Sequence, residues 1–144
     1  MVLGALGRPV PPIHDIRRAV QAEGGYLETP DGGIRGLIYA GAVAWLEGQG
    51  IAARVLLDLT AQDVARIVDR PGGLFIASVH PGIRRPDGPP ASRGGHLVLV
   101  FGRDATGALR LHNPSGDTPA TQEDARIPLA RFESCFAGRG ILVG

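Results

Sequence analysis

His96 opens the run Gly94-Gly-His-Leu-Val-Leu-Val-Phe-Gly102, and Asn113 follows Leu109-Arg-Leu-His112 in front of Pro114-Ser-Gly116. Two β-rich stretches, Leu97–Phe101 and Ala108–His112, flank Gly102-Arg-Asp-Ala-Thr-Gly107, the pattern of an antiparallel hairpin. Pairing Gly102 with Gly107 across a tight turn and counting outward predicts His96 directly opposite Asn113, both side chains on one face. An amide beside an imidazole fixes its tautomer and aims the other ring nitrogen outward, which is how a general base is held. The same spacing also fits ordinary loop punctuation, a His at a strand start and an Asn-Pro turn.

Other reactive side chains gather around that pair in the sequence. His80 leaves the apolar run Leu74-Phe-Ile-Ala-Ser-Val79 at the end where His96 enters the next strand, so the two can face one cleft or His80 can cap a loop. Arg84, Arg85 and Arg93 lie between them, as solvated charges or as guanidiniums for a carboxylate, phosphate or phosphopantetheine-type group. Ser78, His80, Arg84 and Gly95 are the expected substrate-binding residues beside a His96–Asn113 catalytic pair. Tyr26, Glu28 and Asp31 sit on a loop that can border the same cleft, and His112 should face away from Asn113. The hydroxyls of Ser78 and Ser115 have no evident activating group. Cys135, within Phe132-Glu-Ser-Cys-Phe136, has no basic neighbour to lower its pKa and reads as a core residue.

Composition bounds what these residues can serve. At 144 residues the chain is read as a single domain, 1–144, large enough for a real core. Fifteen basic against 14 acidic residues give a net charge of +1, so no nucleic-acid footprint is expected. Every basic residue is Arg, which excludes lysine nucleophiles and Schiff bases. One Cys forms no internal disulfide, and no Cys/His cluster has zinc spacing, so neither metal nor cofactor is expected. The apolar runs are too short to span a bilayer and no signal peptide is visible, which points to a cytoplasmic chain away from membranes.

The positioning elements follow from periodicity. Met1–Gly7 is apolar and reads as the tail of a buried helix; Ile13, Ile16 and Val20 mark an amphipathic helix between Pro12 and Gly24-Gly25. Tyr26–Gly33 is expected as a loop and Ile34–Leu46 as a helix whose small residues, Gly41 among them, permit close packing. Ala53–Leu57 is a short strand, and Thr60 with Asp63 makes an acidic capping box before Val64, Ile67 and Val68. Leu74–Val79 is an apolar, central strand. His80–Arg93 is a long loop, a candidate lid. Pro128–Cys135 makes a helical turn and Gly140–Gly144 a last strand. Helices first and an antiparallel sheet second is an α+β architecture.

The ordered segments Gly72-Gly-Leu-Phe-Ile-Ala-Ser-Val79, Gly94–Gly102, His112-Asn-Pro-Ser115, Arg131-Phe and Ala137-Gly-Arg-Gly-Ile141 resemble the C39-like family of papain-fold cysteine peptidases. The resemblance implies a papain-like fold, N-terminal helices packed on a C-terminal antiparallel sheet. It also implies that His96 is the general base and Asn113 its orienter. The family nucleophile is a Cys in a Cys-Gly-Pro-Ala type motif at the start of the first core helix, with a Gln upstream. Met1–Gly7 resembles later turns of that helix, so the given sequence starts past the place where both belong.

Three functions remain open on these residues. One is non-covalent acid/base catalysis by the His-Asn dyad on a small or carrier-bound biosynthetic intermediate, as dehydration, cyclisation or hydrolysis. Another is a non-catalytic module that binds a peptide or carrier protein. The third is a cysteine peptidase whose front end is missing from the given sequence.

Overall fold

In the computed structural model, which describes residues 1–85, 88 and 90–144 and the backbone alone at 34 and 35, the chain divides into two units, Met1–Val55 and Leu56–Gly144. The first unit begins with α1 (Val2–Ala5), of which only Leu3 is buried, so the apolar start is not a buried helix along its length. Pro12 sits at the N-cap of α2 (Ile13–Ala22), where its missing N–H removes no helical bond. Val20 is the buried residue of α2, while Ile13 remains 71% exposed.

The expected loop over Tyr26–Gly33 and helix from Ile34 are replaced by a hairpin. The strands β1 (Tyr26–Glu28) and β2 (Ile34–Leu37) pair antiparallel, and α3 starts only at Tyr39 and ends at Gly48. The cause is the Thr29-Pro-Asp-Gly-Gly33 turn, with Gly32 at φ 79° and Gly33 accepting at its carbonyl from the Thr29 N–H at 2.8 Å. The small residues of α3 do allow a close approach: a side chain at Gly41 would run into the backbone of Gly25. The strand β3 (Ala53–Leu56) crosses the division between the units.

The second unit is built on β4 (Leu74–Val79), central as expected. It pairs antiparallel with β5 (His96–Arg103) on one side and β8 (Phe136–Val143) on the other. Two further strands, β6 (Leu109–His112) and β7 (Ala125–Ile127), extend the order to β8-β4-β5-β6-β7, all antiparallel. The helices α4 (Ala61–Val68), α5 (Pro119–Gln122) and α6 (Leu129–Cys135) complete the unit. The chain is α+β.

The buried stripe of α4, Ala61, Val64, Ala65 and Val68, joins Phe75, Val98, Val100, Leu111, Phe132 and Phe136 in one apolar core. Phe132 and Phe136 stack with ring centroids 5.1 Å apart, and Phe75 meets Phe136 edge-on at 6.3 Å. Cys135 is fully buried in this core. Thr60 and Asp63 form the expected capping box, and Glu133 of α6 accepts a hydrogen bond from the Ala61 N–H at 2.5 Å, tying the start of α4 to α6.

The hairpin register differs from the expected one. The turn is closed by Asp104, whose Oδ1 accepts from the Thr106 N–H, the Thr106 hydroxyl and the Ala108 N–H at 2.9, 2.6 and 3.1 Å. Gly102 therefore pairs with Arg110 rather than Gly107, and a bulge at Phe101 resets the ladder to Val100 with Leu111 and Leu99 with His112. Continuing that register places Asn113 beside Val98, two residues from His96, so the two are diagonal neighbours on one face rather than directly opposed.

Hydrogen bonds from Thr106 to Asp104, and from Thr60 to Asp63, hold both carboxyls below their ordinary value. A carboxyl depressed in the folded state contributes stability above its unfolded value of about 4, and that contribution is lost as pH falls through the lower folded value. Urea midpoints are expected to be level from neutral pH down to about pH 5 and to decline below about pH 4, with a shallower decline in Asp104→Ala. Parallel declines for the two proteins would remove the turn carboxylate from the account.

Candidate functional site

Two consecutive glycines deliver His96 into β5. Gly94 and Gly95 have φ of 85° and 92°, a conformation that side chains disfavour, and a Cβ on Gly94 would lie 3.1 Å from the Ser78 Oγ. The Gly94 N–H and the His80 N–H both donate to the carbonyl of Cys135, at 3.4 and 2.9 Å, so the end of α6 holds the edges of β4 and β5 together. His96 is paired with Val79 across the ladder and its ring is half-buried.

Asn113 lies just past β6 and is 1% exposed. Its backbone N–H donates to the Gln122 carbonyl at 2.9 Å, and the Asn-Pro-Ser sequence folds back so that the Ser115 N–H donates to Asn113 Oδ1 at 3.2 Å. A backbone N–H can only donate, so the atom it meets is the amide oxygen. That oxygen also lies 2.7 Å from His96 Nε2, which must then carry the hydrogen of this bond. Neutral His96 is thereby fixed as the Nε2–H tautomer with a bare lone pair on Nδ1, for which the described residues offer no partner.

Ser115 completes the back of the site. Its Oγ is 3.2 Å from Asn113 Oδ1 and 3.1 Å from His96 Nε2. This hydroxyl faces the nitrogen that bears the proton, so His96 cannot take a proton from it, and Ser115 is a support rather than a nucleophile. Arg84 donates from Nη1 to the Ser115 carbonyl and lies 3.5 Å from the Asp117 carboxylate. The loop that carries Arg84 is itself gripped by Arg131 of α6, which donates to the carbonyls of Gly82, Arg85 and Gly88 at 2.7, 2.6 and 2.7 Å. A continuous set of bonds thus runs from α6 through Arg131, the carbonyls of Gly82 and Arg85, Arg84 and Ser115 to the dyad.

The other expected site residues are distributed as follows. His80 caps the 3-10 turn Pro81–Arg84, its Nδ1 accepting from the Gly82 N–H at 3.0 Å. Ser78 is buried against Gly94, and Gly95 is exposed beside His96. Arg85 and Arg93 are exposed, and positions 86, 87 and 89 of the expected lid lie outside the described residues. Glu28 pairs with Arg17 within the first unit at 3.3 Å, and a Thr29 hydrogen bond holds the Asp31 carboxyl below its usual range. His112 turns away from Asn113 to stack on Phe101, centroids 4.6 Å apart. Among the described residues no three His, Cys, Asp or Glu side chains converge as a metal site, and no helix is long and apolar enough to cross a membrane. The supporting role of Ser115 was legible in Asn-Pro-Ser as an Asx turn, whereas the grip of Arg131 on a loop far away in sequence carries no local signal.

No protein-family model and no curated protein matches the sequence. Solved structures do. The peptidase domain of Streptococcus ComA, a bi-functional ABC transporter involved in a quorum sensing pathway, is similar with a TM-score of 0.65 at 19% identity, over 99% of this chain and 84% of that one. The Streptococcus mutans ComA peptidase domain matches with a TM-score of 0.55 at 21% identity, over 94% and 97%. A Bacillus anthracis protein described as a C39-like peptidase gives 0.56 at 14% identity, over 81% of this chain and 63% of its own. The chain therefore has the C39 peptidase fold; identities this low speak to the fold alone.

Removing the amide oxygen strands two donors, the His96 Nε2–H and the Ser115 N–H. Asn113→Ala is expected to cost about 1–3 kcal/mol in urea unfolding and to release the His96 tautomer, read from the ring 15N shifts at high pH. A variant that keeps the single Nε2–H form would show that the ring is fixed by something other than Asn113.

Proposed function

We propose that this protein is a non-covalent acid/base catalyst, acting by dehydration, cyclisation or hydrolysis on a small or carrier-bound intermediate. His96 moves the proton and Asn113 orients it. The supporting observation is the 2.7 Å bond from His96 Nε2 to a buried amide oxygen, which leaves Nδ1 as the basic atom. In this reading Nδ1 removes a proton from the substrate or from an attacking water. The imidazolium so formed strengthens its bond to Oδ1, which becomes charge-assisted, and Nδ1 then returns the proton to the leaving group.

Among the described residues of this unit no side-chain nucleophile is activated, which supports a non-covalent route. Cys135 is the only thiol of the sequence and is fully buried, and Ser115 faces the protonated ring nitrogen. Water, or a group of the substrate itself, is then the attacking atom. A soluble, cytoplasmic substrate pool, with no nucleic-acid partner, is part of the proposal.

A second reading draws on the likeness to peptidase domains: Nδ1 would deprotonate a thiol from outside the given residues, and the bond broken would be a peptide bond. The two readings differ in their response to alkylation. Turnover by the 144-residue chain that survives iodoacetamide supports the non-covalent route, and turnover that appears only when a further Cys-bearing segment is present sinks it.

The decisive variants are at the dyad. With a panel of thioester-bound and free acyl or peptidyl substrates, His96→Ala is expected to lower kcat about 10²–10⁴-fold while the fold is retained. Asn113→Asp keeps an acceptor for Nε2–H and should change kcat by less than about tenfold. Partner binding that survives His96→Ala, with no turnover found in either protein, would overturn catalysis in favour of a binding module.

A further inference from the structure

The stretch Arg54-Val-Leu-Leu-Asp58 carries β3 to its end and two residues beyond. Leu56 packs against the apolar core, whereas Arg54, Val55, Leu57 and Asp58 are all exposed, Leu57 to 60%. Residues two apart on an extended chain share a face, so Val55 and Leu57 stand together on the side opposite Leu56. Two large apolar side chains are thus presented to solvent, one beside a cation and the other beside an anion.

The backbone of this stretch is accessible as well. β3 is an outer strand with one strand neighbour, and among the described residues no turn or loop backbone hydrogen bond reaches positions 53–58. The outer strand at the other end, β7, stops at Pro128, which has no N–H to offer. β3 has no such stop. An outer strand with apolar side chains at its open edge is a template for another strand.

Which strand it fits is written in its own residue order. Turned antiparallel about a two-fold axis through Leu56, the stretch sets 54 against 58, 55 against 57 and 56 against itself. Arg54 then meets Asp58 and Val55 meets Leu57, and the two-fold repeats both contacts. Two ion pairs of opposite sign enclose four apolar side chains on one face, the cross-strand pairs that stabilise a ladder. Asp58, at φ 55°, ends the extended run, so backbone pairing is confined to Val55–Leu57 and the charges meet at its two ends. A strand of unrelated sequence would gain the backbone bonds without this match of charge and apolar positions.

We propose that β3 is a dimerisation strand whose partner is a second copy of this chain, paired antiparallel across a two-fold axis at Leu56. Five residues a side make an interface well below the roughly 1,200 Å² of stable complexes, so the dimer is weak and transient. The association is a claim about binding and is independent of the reading of His96 as a base.

Sedimentation velocity of the full chain from about 10 µM to about 1 mM, a range suited to a small interface, should show a monomer–dimer equilibrium that added salt weakens. Arg54→Asp sets acid against acid twice, and Asp58→Arg sets base against base twice; each change should weaken dimerisation at least about tenfold. Mixed one to one, the two variants make only contacts of opposite sign with each other, and the dimer should return to the unmodified level. Leu57→Ser, which touches no charge, should weaken it severalfold. Both charged positions are exposed, so circular dichroism of each variant should be unchanged. A monomer at every concentration, a dimer that neither charge variant weakens, or two weakened variants whose mixture fails to recover would each overturn the proposal.

Discussion

The site depends on one buried amide oxygen. Asn113 Oδ1 accepts from a ring nitrogen and a backbone N–H, with a hydroxyl within reach, and it does so at a position almost closed to solvent. In such a place an acceptor cannot be exchanged for water, so each donor is held to it and each loses its alternatives. The imidazole orientation, the fold of the Asn-Pro-Ser turn and the placement of Ser115 are all consequences of that single atom.

Rigidity reaches this oxygen from two directions. From the sheet, β5 carries His96 with its backbone paired to Val79 and its entry fixed by two glycines. From the helical side, Cys135 gives its carbonyl to both strand edges while Arg131, on the same helix, gathers three carbonyls of the loop that presents Arg84. The short helix α6 is thereby anchored in the apolar core by Phe132 and Cys135 and acts on polar atoms well outside it. Packing and polar geometry are one construction here, since a shift of Phe132 would be felt at Arg84.

Much of this was legible before any coordinates, and the reasons differ by residue. The capping box at Thr60 and Asp63, the apolar strand Leu74–Val79 and the His96–Asn113 association rest on local patterns that tertiary contacts do not override. The hairpin at Tyr26–Leu37 was missed because its strands are short and the run from Ile34 to Leu46 is apolar at nearly every position, leaving little period to read. The Pro30-Asp-Gly32 turn was the available signal. The strand β7 and the grip of Arg131 were not legible, since three residues make no pattern and a contact spanning more than forty residues leaves no trace in spacing.

The bulge at Phe101 decides more than a local kink. The turn at Asp104 offsets the ladder by an odd number of residues from the simple hairpin, and without correction Asn113 would stand opposite Leu99, on the far side of the sheet from His96. One unpaired residue restores even parity and returns Asn113 to the histidine's side. The dyad is thus encoded arithmetically as well as chemically. Related chains can vary the Asp104–Ala108 turn freely, but an odd insertion or deletion within either paired stretch keeps the pair only if a compensating bulge restores the parity, a constraint to be sought in length variation rather than in residue identity.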